Sequence, residues 1–234
     1  MKNISEWKES KFNLQDGVLY ASREVGQGSW LMAQLIADKY TEFIPKYVKG
    51  RILDLGCGSV PLFGLYKSFM SENICVDWDK SIHQNQYLDI SMDISKPLPF
   101  PDDSFDTIIC SDVLEHIFEP KNVIEEMIRV CKDNGFIILN VPFDYWMHEN
   151  PYDYNRMTRF FYERFAEESD DVQLVLIKPL GGRIAVLVDK YAKIAVAHRW
   201  MLGRTVQRFY YKYLVKKDNA DADTLGFFLI YKKI

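Results

Sequence analysis

Two rhythms of apolar residues run along this chain. Short, mostly apolar runs are bounded by glycine, aspartate or proline. Between them lie longer stretches in which apolar side chains return every third or fourth position. The first kind predicts buried strands at Ile52–Leu55, Asn73–Val76, Thr107–Cys110, Phe136–Val141, Val172–Ile177 and Leu225–Lys232, with the stretch 88–94 standing in third place. The second predicts helices. One is capped by Ser29 and runs from Trp30 to Tyr47 with Leu31, Leu35, Ile36, Tyr40 and Phe43 on its apolar face. Another covers Pro61–Met70. A third begins at Pro120, turns Val123, Ile124, Met127, Ile128 and Cys131 inward and Glu125, Glu126, Arg129 and Lys132 outward, and ends at Asn134–Gly135. A fourth runs from Arg159 to Ala166. Residues 1–28 give mixed signals. Strands alternating with helices predict an α/β sheet covered on both faces.

The first strand breaks into Gly56-Cys57-Gly58, a turn whose backbone freedom only glycine supplies cheaply. A strand, glycine turn and helix can press backbone amides against a ligand. A dinucleotide fingerprint would need a third glycine at position 61, where this chain has Pro61, so a nicotinamide oxidoreductase is disfavoured. Asp54, two residues before Gly56, suits a cofactor with a cationic amino-acid end better than a pyrophosphate. Asp77 lies 21 positions past Gly56, the spacing at which a carboxylate ending the second strand accepts from both hydroxyls of a ribose. Trp78 beside it offers a flat face to a purine.

The string Asp54-x-Gly56-x-Gly58 resembles the first motif of the class I S-adenosylmethionine-dependent methyltransferases, with Val60 in place of the usual third glycine. Asp93, followed by Leu98-Pro99-Phe100 and a turn ending in Phe105-Asp106, resembles the same family. The resemblance implies that Asp93 accepts from the adenine amino group and that the amide of Ile94 contacts the ring. Asp112-Val113-Leu114-Glu115-His116-Ile117 resembles the type 11, small-molecule branch, and with Ser111 it should face the cofactor, because ligands sit beyond the carboxyl ends of strands. His148-x-x-Pro151-x-Asp153-x-x-Arg156-x-Thr158 resembles a segment of some type 11 enzymes. Tyr152, Asp153 and Arg156 there are candidates for the acceptor wall, or Asp153 and Arg156 simply pair to order the loop. Asn140-Val141-Pro142-Phe143 is distantly similar to an N-P-P-Y motif but follows the wrong strand and is set aside.

The resemblance implies a single Rossmann-like, doubly wound sheet of seven strands, mostly parallel with an antiparallel last strand, with helices on both faces. Expected along it are an N-terminal cap helix region (1–48), a cofactor-binding core (49–182), a basic helical insertion (183–218) and the final strand (219–234). The expected cofactor is S-adenosylmethionine, held by Asp54, Gly56, Cys57, Gly58, Asp77, Trp78, Asp93, Ile94 and Ser111. The expected reaction is methyl transfer to a small-molecule or sugar-type acceptor. Such a displacement needs little beyond holding donor and nucleophile together, with a base where the acceptor carries a proton. Of His83, His116, His148 and His198, only His116 and His148 fall on segments facing the pocket, and they are the candidate bases. A catalytically silent cofactor-binding subunit, docking a partner through its basic helix, is the alternative.

Charge refines the picture of partners. The net charge of −4 hides a basic segment: between Arg183 and Lys217 nine basic residues stand against Asp189 alone. Arg204, Arg208, Lys212 and Lys216 form one helical stripe, either solvated or meeting an acidic partner or an anionic membrane surface. An otherwise acidic chain of this kind is not a general nucleic-acid binder. Cys57, Cys75, Cys110 and Cys131 have no metal-ligand spacing, so no metal site is expected and reduced core thiols fit a cytoplasmic protein. The polar N-terminal stretch carries no apolar signal core.

Overall fold

The computed structural model describes residues 1–78, 86–198, 202–218 and 223–234; Asp79, Lys80, His83, Arg199 and positions 219–222 of the final stretch lie outside them. A small antiparallel hairpin, β1 (Phe12–Gln15) and β2 (Val18–Ala21), comes first. Its turn is Asp16-Gly17, both at positive φ, the geometry that matches the twist of paired strands.

Seven further strands make one sheet: β3 (Gly50–Leu55), β4 (Met70–Asp77), β5 (Ile90–Ser91), β6 (Phe105–Ser111), β7 (Cys131–Pro142), β8 (Val172–Pro179) and β9 (Gly226–Lys233). Their order is β5-β4-β3-β6-β7-β9-β8. The first five are mutually parallel, and β9 runs antiparallel between β7 and β8. The sequence reverses direction of travel at β3, so the cleft between β3 and β6 opens beyond their carboxyl ends.

The helices are α1 (Trp30–Tyr47), α2 (Phe63–Tyr66), α3 (Pro120–Val130), α4 (Arg159–Glu168), α5 (Arg183–Ala197) and α6 (Gly203–Tyr213). Because strand side chains alternate, one face of the sheet takes Ile52, Ile109, Ile138, Phe228 and Ile230 and packs under α1, α2, α5 and α6. The other takes Leu53, Ile108, Ile137, Leu139, Leu229 and Tyr231 and packs under α3 and α4. Burial on both faces explains why these strands read as apolar runs rather than alternations.

Three expectations are corrected. The helix expected at 61–70 is a single turn, Phe63–Tyr66. Val60 at φ +52 closes the glycine turn, with Trp7 Nε1 donating to its carbonyl at 3.1 Å, and Met70 already opens β4 by pairing with Gly50. The helix from Pro120 ends at Val130, and Cys131 opens β7. Asn134 at φ +60 and Gly135 instead bend the start of β7, where its pairing with β6 shifts register. Ser29 precedes α1 without capping it; its hydroxyl meets the Tyr145 hydroxyl at 3.1 Å.

The basic segment is tied into the fold only in part. Arg183 pairs with Asp223 and Lys190 with Asp144, while Arg204 donates to the Val25 carbonyl at 2.7 Å. Arg208, Lys212 and Lys216 remain exposed beside Phe209 and Tyr213. Asp218 caps α5 from a distance: its carboxylate accepts from the amides of Gly182, Ile184 and Ala185 at 2.9–3.0 Å. No described helix is long and apolar enough to cross a membrane.

Candidate functional site

A cavity of about 1050 Å³ opens at the carboxyl ends of β3, β4, β6 and β7. The glycine turn is its floor. Gly56 (φ +70) and Cys57 both donate to the Val76 carbonyl, at 2.8 and 3.2 Å, and Gly58 (φ +51) donates to Asp77 Oδ2 at 2.8 Å. A Cβ on Gly56 would lie 2.3 Å from Val113 Cγ2, so only glycine lets the turn lie against the segment that follows β6.

Gly56, Cys57, Gly58, Asp77, Trp78, Asp93, Ile94, Ser111, His116, His148 and Tyr152 all line this one cavity. Asp77 also accepts from the Trp78 amide at 2.7 Å, which fixes its carboxylate at the end of β4. Trp78 meets Tyr152 edge to face, centroids 4.9 Å apart. Asp93 accepts from the amide and hydroxyl of Ser95, and this, chiefly the hydroxyl, holds it below its ordinary value.

The structure places the other three candidates elsewhere. Asp54 lies beneath the turn, where it accepts from the Tyr66 hydroxyl at 2.8 Å. Asp153 and Arg156 turn onto each other in a two-pronged pair at 2.5 and 2.7 Å, and Asp153 also accepts from the His148 amide at 2.8 Å. They brace the loop instead of lining the cavity.

Burial pushes the Asp54 carboxyl up to about 7, against the pull of the Tyr66 hydrogen bond and with the charge of Asp77 adding to it. The folded protein therefore holds a proton here that the unfolded chain releases. That contribution to stability is present below the ordinary carboxylate range and is lost as pH rises through about 7. Asp54→Asn removes the loss. The variant should exceed wild type in stability by about 2–4 kcal/mol near pH 8, with the gap closing near pH 4. Urea denaturation at the two pH values checks this, and an unchanged gap overturns it.

Beside the glycine turn and along the segment that follows β6 stand residues that the sequence did not single out. Lys11 reaches in from the N-terminal segment and pairs with Asp112 at 2.9 Å, and Asp112 (φ +56) also accepts from Asn140. Glu115 is 1% exposed, and Oε1 lies 3.7 Å from both His116 Nε2 and His148 Nε2. Burial raises the Glu115 carboxyl, with His148 opposing, and Glu115 in turn raises His148. The amides of Tyr154 and Asn155 donate to the Glu115 carbonyl at 2.8 and 3.1 Å, stitching the 145–156 loop to this segment. The legible signal was two carboxylate–imidazole pairs, Glu115-His116 and His148-Glu149, on segments assigned to the same face.

The residues present fit S-adenosylmethionine. The turn leaves no room for a Cβ at Gly56, Asp77 is fixed at the second strand's end, and Asp93 and Ile94 form the next wall.

Residues 53–139 match the Methyltransferase domain family. The uncharacterized methyltransferase YcgJ of Bacillus subtilis (strain 168) is 30% identical over 111 residues, covering 43% of each chain. The chain thus spans less than half the length of this curated relative. Among solved structures, a SAM-dependent methyltransferase from Archaeoglobus fulgidus superposes with a TM-score of 0.55 at 15% identity, covering 86% of this chain and 93% of that one. The [4+2]-cyclase SpnF does so with 0.57 at 16%, covering 96% and 87%. At these identities the two structures show the fold. The match over 53–139, the relatives and the motif positions gathered in the cavity support a type 11, class I methyltransferase domain over that stretch, with S-adenosylmethionine as its cofactor.

Proposed function

We propose that this protein transfers the methyl group of S-adenosylmethionine to a small polar acceptor of the sugar or glycan-precursor kind. The observation that carries the proposal is the lining of one cavity, where the cofactor-type residues Gly56, Asp77 and Asp93 share the space with a polar, aromatic wall of Tyr145, His148, Tyr152 and Tyr154. The cofactor supplies an electrophilic methyl group on a sulfonium. Asp77 would hold the ribose and Asp93 with Ile94 the adenine, while the glycine turn leaves its backbone open to close approach. Tyr152 and Tyr154, both partly exposed in the cavity lining, would offer ring surface and hydroxyls to a sugar or similar ring. Glu115, His116 and His148 would receive a proton leaving the acceptor, with His148 and His116 as the catalytic candidates.

The test is incubation with S-adenosylmethionine and a panel of nucleotide sugars, free sugars, hydroxy acids and amines. Acceptor-dependent release of S-adenosylhomocysteine, matched by a methylated product in mass spectra, is expected for a hydroxyl-bearing member. Methylation of a protein or nucleic acid in place of every small acceptor overturns the proposal.

A further inference from the structure

Three groups that present lone pairs converge in the lining of the cavity. His116 Nδ1 is 2.7 Å from the Tyr152 carbonyl, which only accepts, so the neutral ring carries its proton on Nδ1 and leaves Nε2 bare. His148 Nδ1 faces two acceptors, the Trp146 carbonyl at 3.3 Å and Asp153 Oδ2 at 3.4 Å, and its Nε2 is left in the same condition. Both bare nitrogens point toward Glu115 Oε1, each at 3.7 Å. Neither oxygen of the buried Glu115 has a side-chain partner closer than the two imidazoles at 3.7 Å, of which His148 is the one it holds as a charge partner. A desolvated carboxylate left in this state is unfavourable unless a positive charge sits beside it.

One proton between Glu115 and one imidazole would satisfy a single pair and leave the other Nε2 facing an acceptor. A cation satisfies all three. The candidate ligand atoms of Glu115, His116 and His148 lie within 4.8 Å of one another. Ligands on a tetrahedral zinc with bonds of about 2.1 Å stand about 3.4 Å apart, so Glu115 must close on each imidazole by a few tenths of an ångström, and the set as a whole, within 4.8 Å, by at most about 1.4 Å. Glu149 Oε2, 3.9 Å from His116 Nε2, stands next in reach. The contacts at both Nδ1 atoms are of the kind that orients metal-binding imidazoles: a backbone carbonyl behind His116, and the Asp153–Arg156 pair behind His148. This gives Asp153 and Arg156 work outside the cavity.

We infer that Glu115, His116 and His148 form a binding site for a divalent cation of zinc type, with its open position facing the cavity. Two imidazoles and a carboxylate suit Zn²⁺ or Co²⁺ better than Mg²⁺ or Ca²⁺, which prefer an all-oxygen shell. The inference rests on the methyl-transfer reading for its consequence and recasts the imidazoles as ligands. An acceptor hydroxyl on the open position would become acidic, as zinc-bound water does, and would release its proton to solvent. The acceptors selected are then those with an oxygen able to ligate.

The test is calorimetric titration of chelator-stripped protein with Zn²⁺, and the visible spectrum of the Co²⁺ form, for wild type, His148→Ala, His116→Ala and Glu115→Gln. Cooperative melting confirms that each variant is folded. One ion per chain is expected, with a tetrahedral or five-coordinate Co²⁺ spectrum and affinity falling at least tenfold in each variant. Asp153→Asn should weaken binding less, because it removes no ligand and alters only the support of His148 and its loop. No binding by wild type, or binding indifferent to all three ligand substitutions, overturns the site. Acceptor-dependent turnover in metal-free protein leaves the methyltransferase reading standing and removes this one; Zn²⁺ bound by protein that ignores S-adenosylhomocysteine does the reverse.

Discussion

Replacing Asp77 by alanine is expected to weaken S-adenosylhomocysteine binding about 100-fold while the chain remains folded. Asp77 lines the cavity at the end of β4, and its two oxygens are already oriented by the amides of Gly58 and Trp78, at 2.8 and 2.7 Å. A carboxylate held in this way accepts from ribose hydroxyls without first losing side-chain freedom. Hydrogen bonds to a charged group contribute about 1.5–3 kcal/mol each, so two lost together amount to about 3–6 kcal/mol, and 100-fold is the lower end of the expected loss. Asp77→Asn separates the two parts of the effect. It keeps one acceptor oxygen for Gly58 but loses the charge and one acceptor, so about tenfold is expected. Calorimetry with S-adenosylhomocysteine, and NAD as control, reads both. Retention of wild-type affinity within about threefold by the alanine variant would sink the ribose assignment.

The glycine turn was legible because its requirement is local. Gly56 and Gly58 need positive φ, and no neighbour elsewhere in the chain alters that. The strands were legible for a related reason: Ile52, Ile109 and Ile138 are buried on one face while Leu53, Ile108 and Ile137 are buried on the other, so the runs had to be apolar throughout. The hairpin β1–β2 was legible and missed, since Asp16-Gly17 is a turn pair with a defined geometry.

What failed was decided by distant partners. The stretch 61–70 has helical spacing, yet Met70 already opens β4 by pairing with Gly50. Asn134-Gly135 is the same signal whether a helix stops or a strand bends. Pairing of Cys131 with Phe105 decides for the bend. Glu115 could not be ranked from sequence because its importance comes from burial between His116 and His148, which are 32 positions apart. Asp54 was singled out for its place in the motif, and only the fold reveals that its carboxylate turns down onto Tyr66.

Gly56→Ala is expected to remove detectable S-adenosylhomocysteine binding and to lower stability by about 2–4 kcal/mol. Two effects add. At φ +70 a side chain is strained by about 1–2 kcal/mol in any surroundings. The new Cβ would also meet Val113 at 2.3 and 3.0 Å, closer than any real contact, so the turn and the segment after β6 must part. Parting them carries Gly58 away from Asp77 and opens the floor of the cavity, which is why binding should fall further than stability alone would predict. A second substitution tells the two effects apart. Gly56→Ala with Val113→Ala removes the methyl groups in the way but not the backbone strain. If contact dominates, the double variant regains at least tenfold in affinity and more than about 1 kcal/mol in stability over the single one. If it regains neither, the left-handed backbone at Gly56 is what the cofactor floor depends on, and the close approach of Val113 is incidental to it.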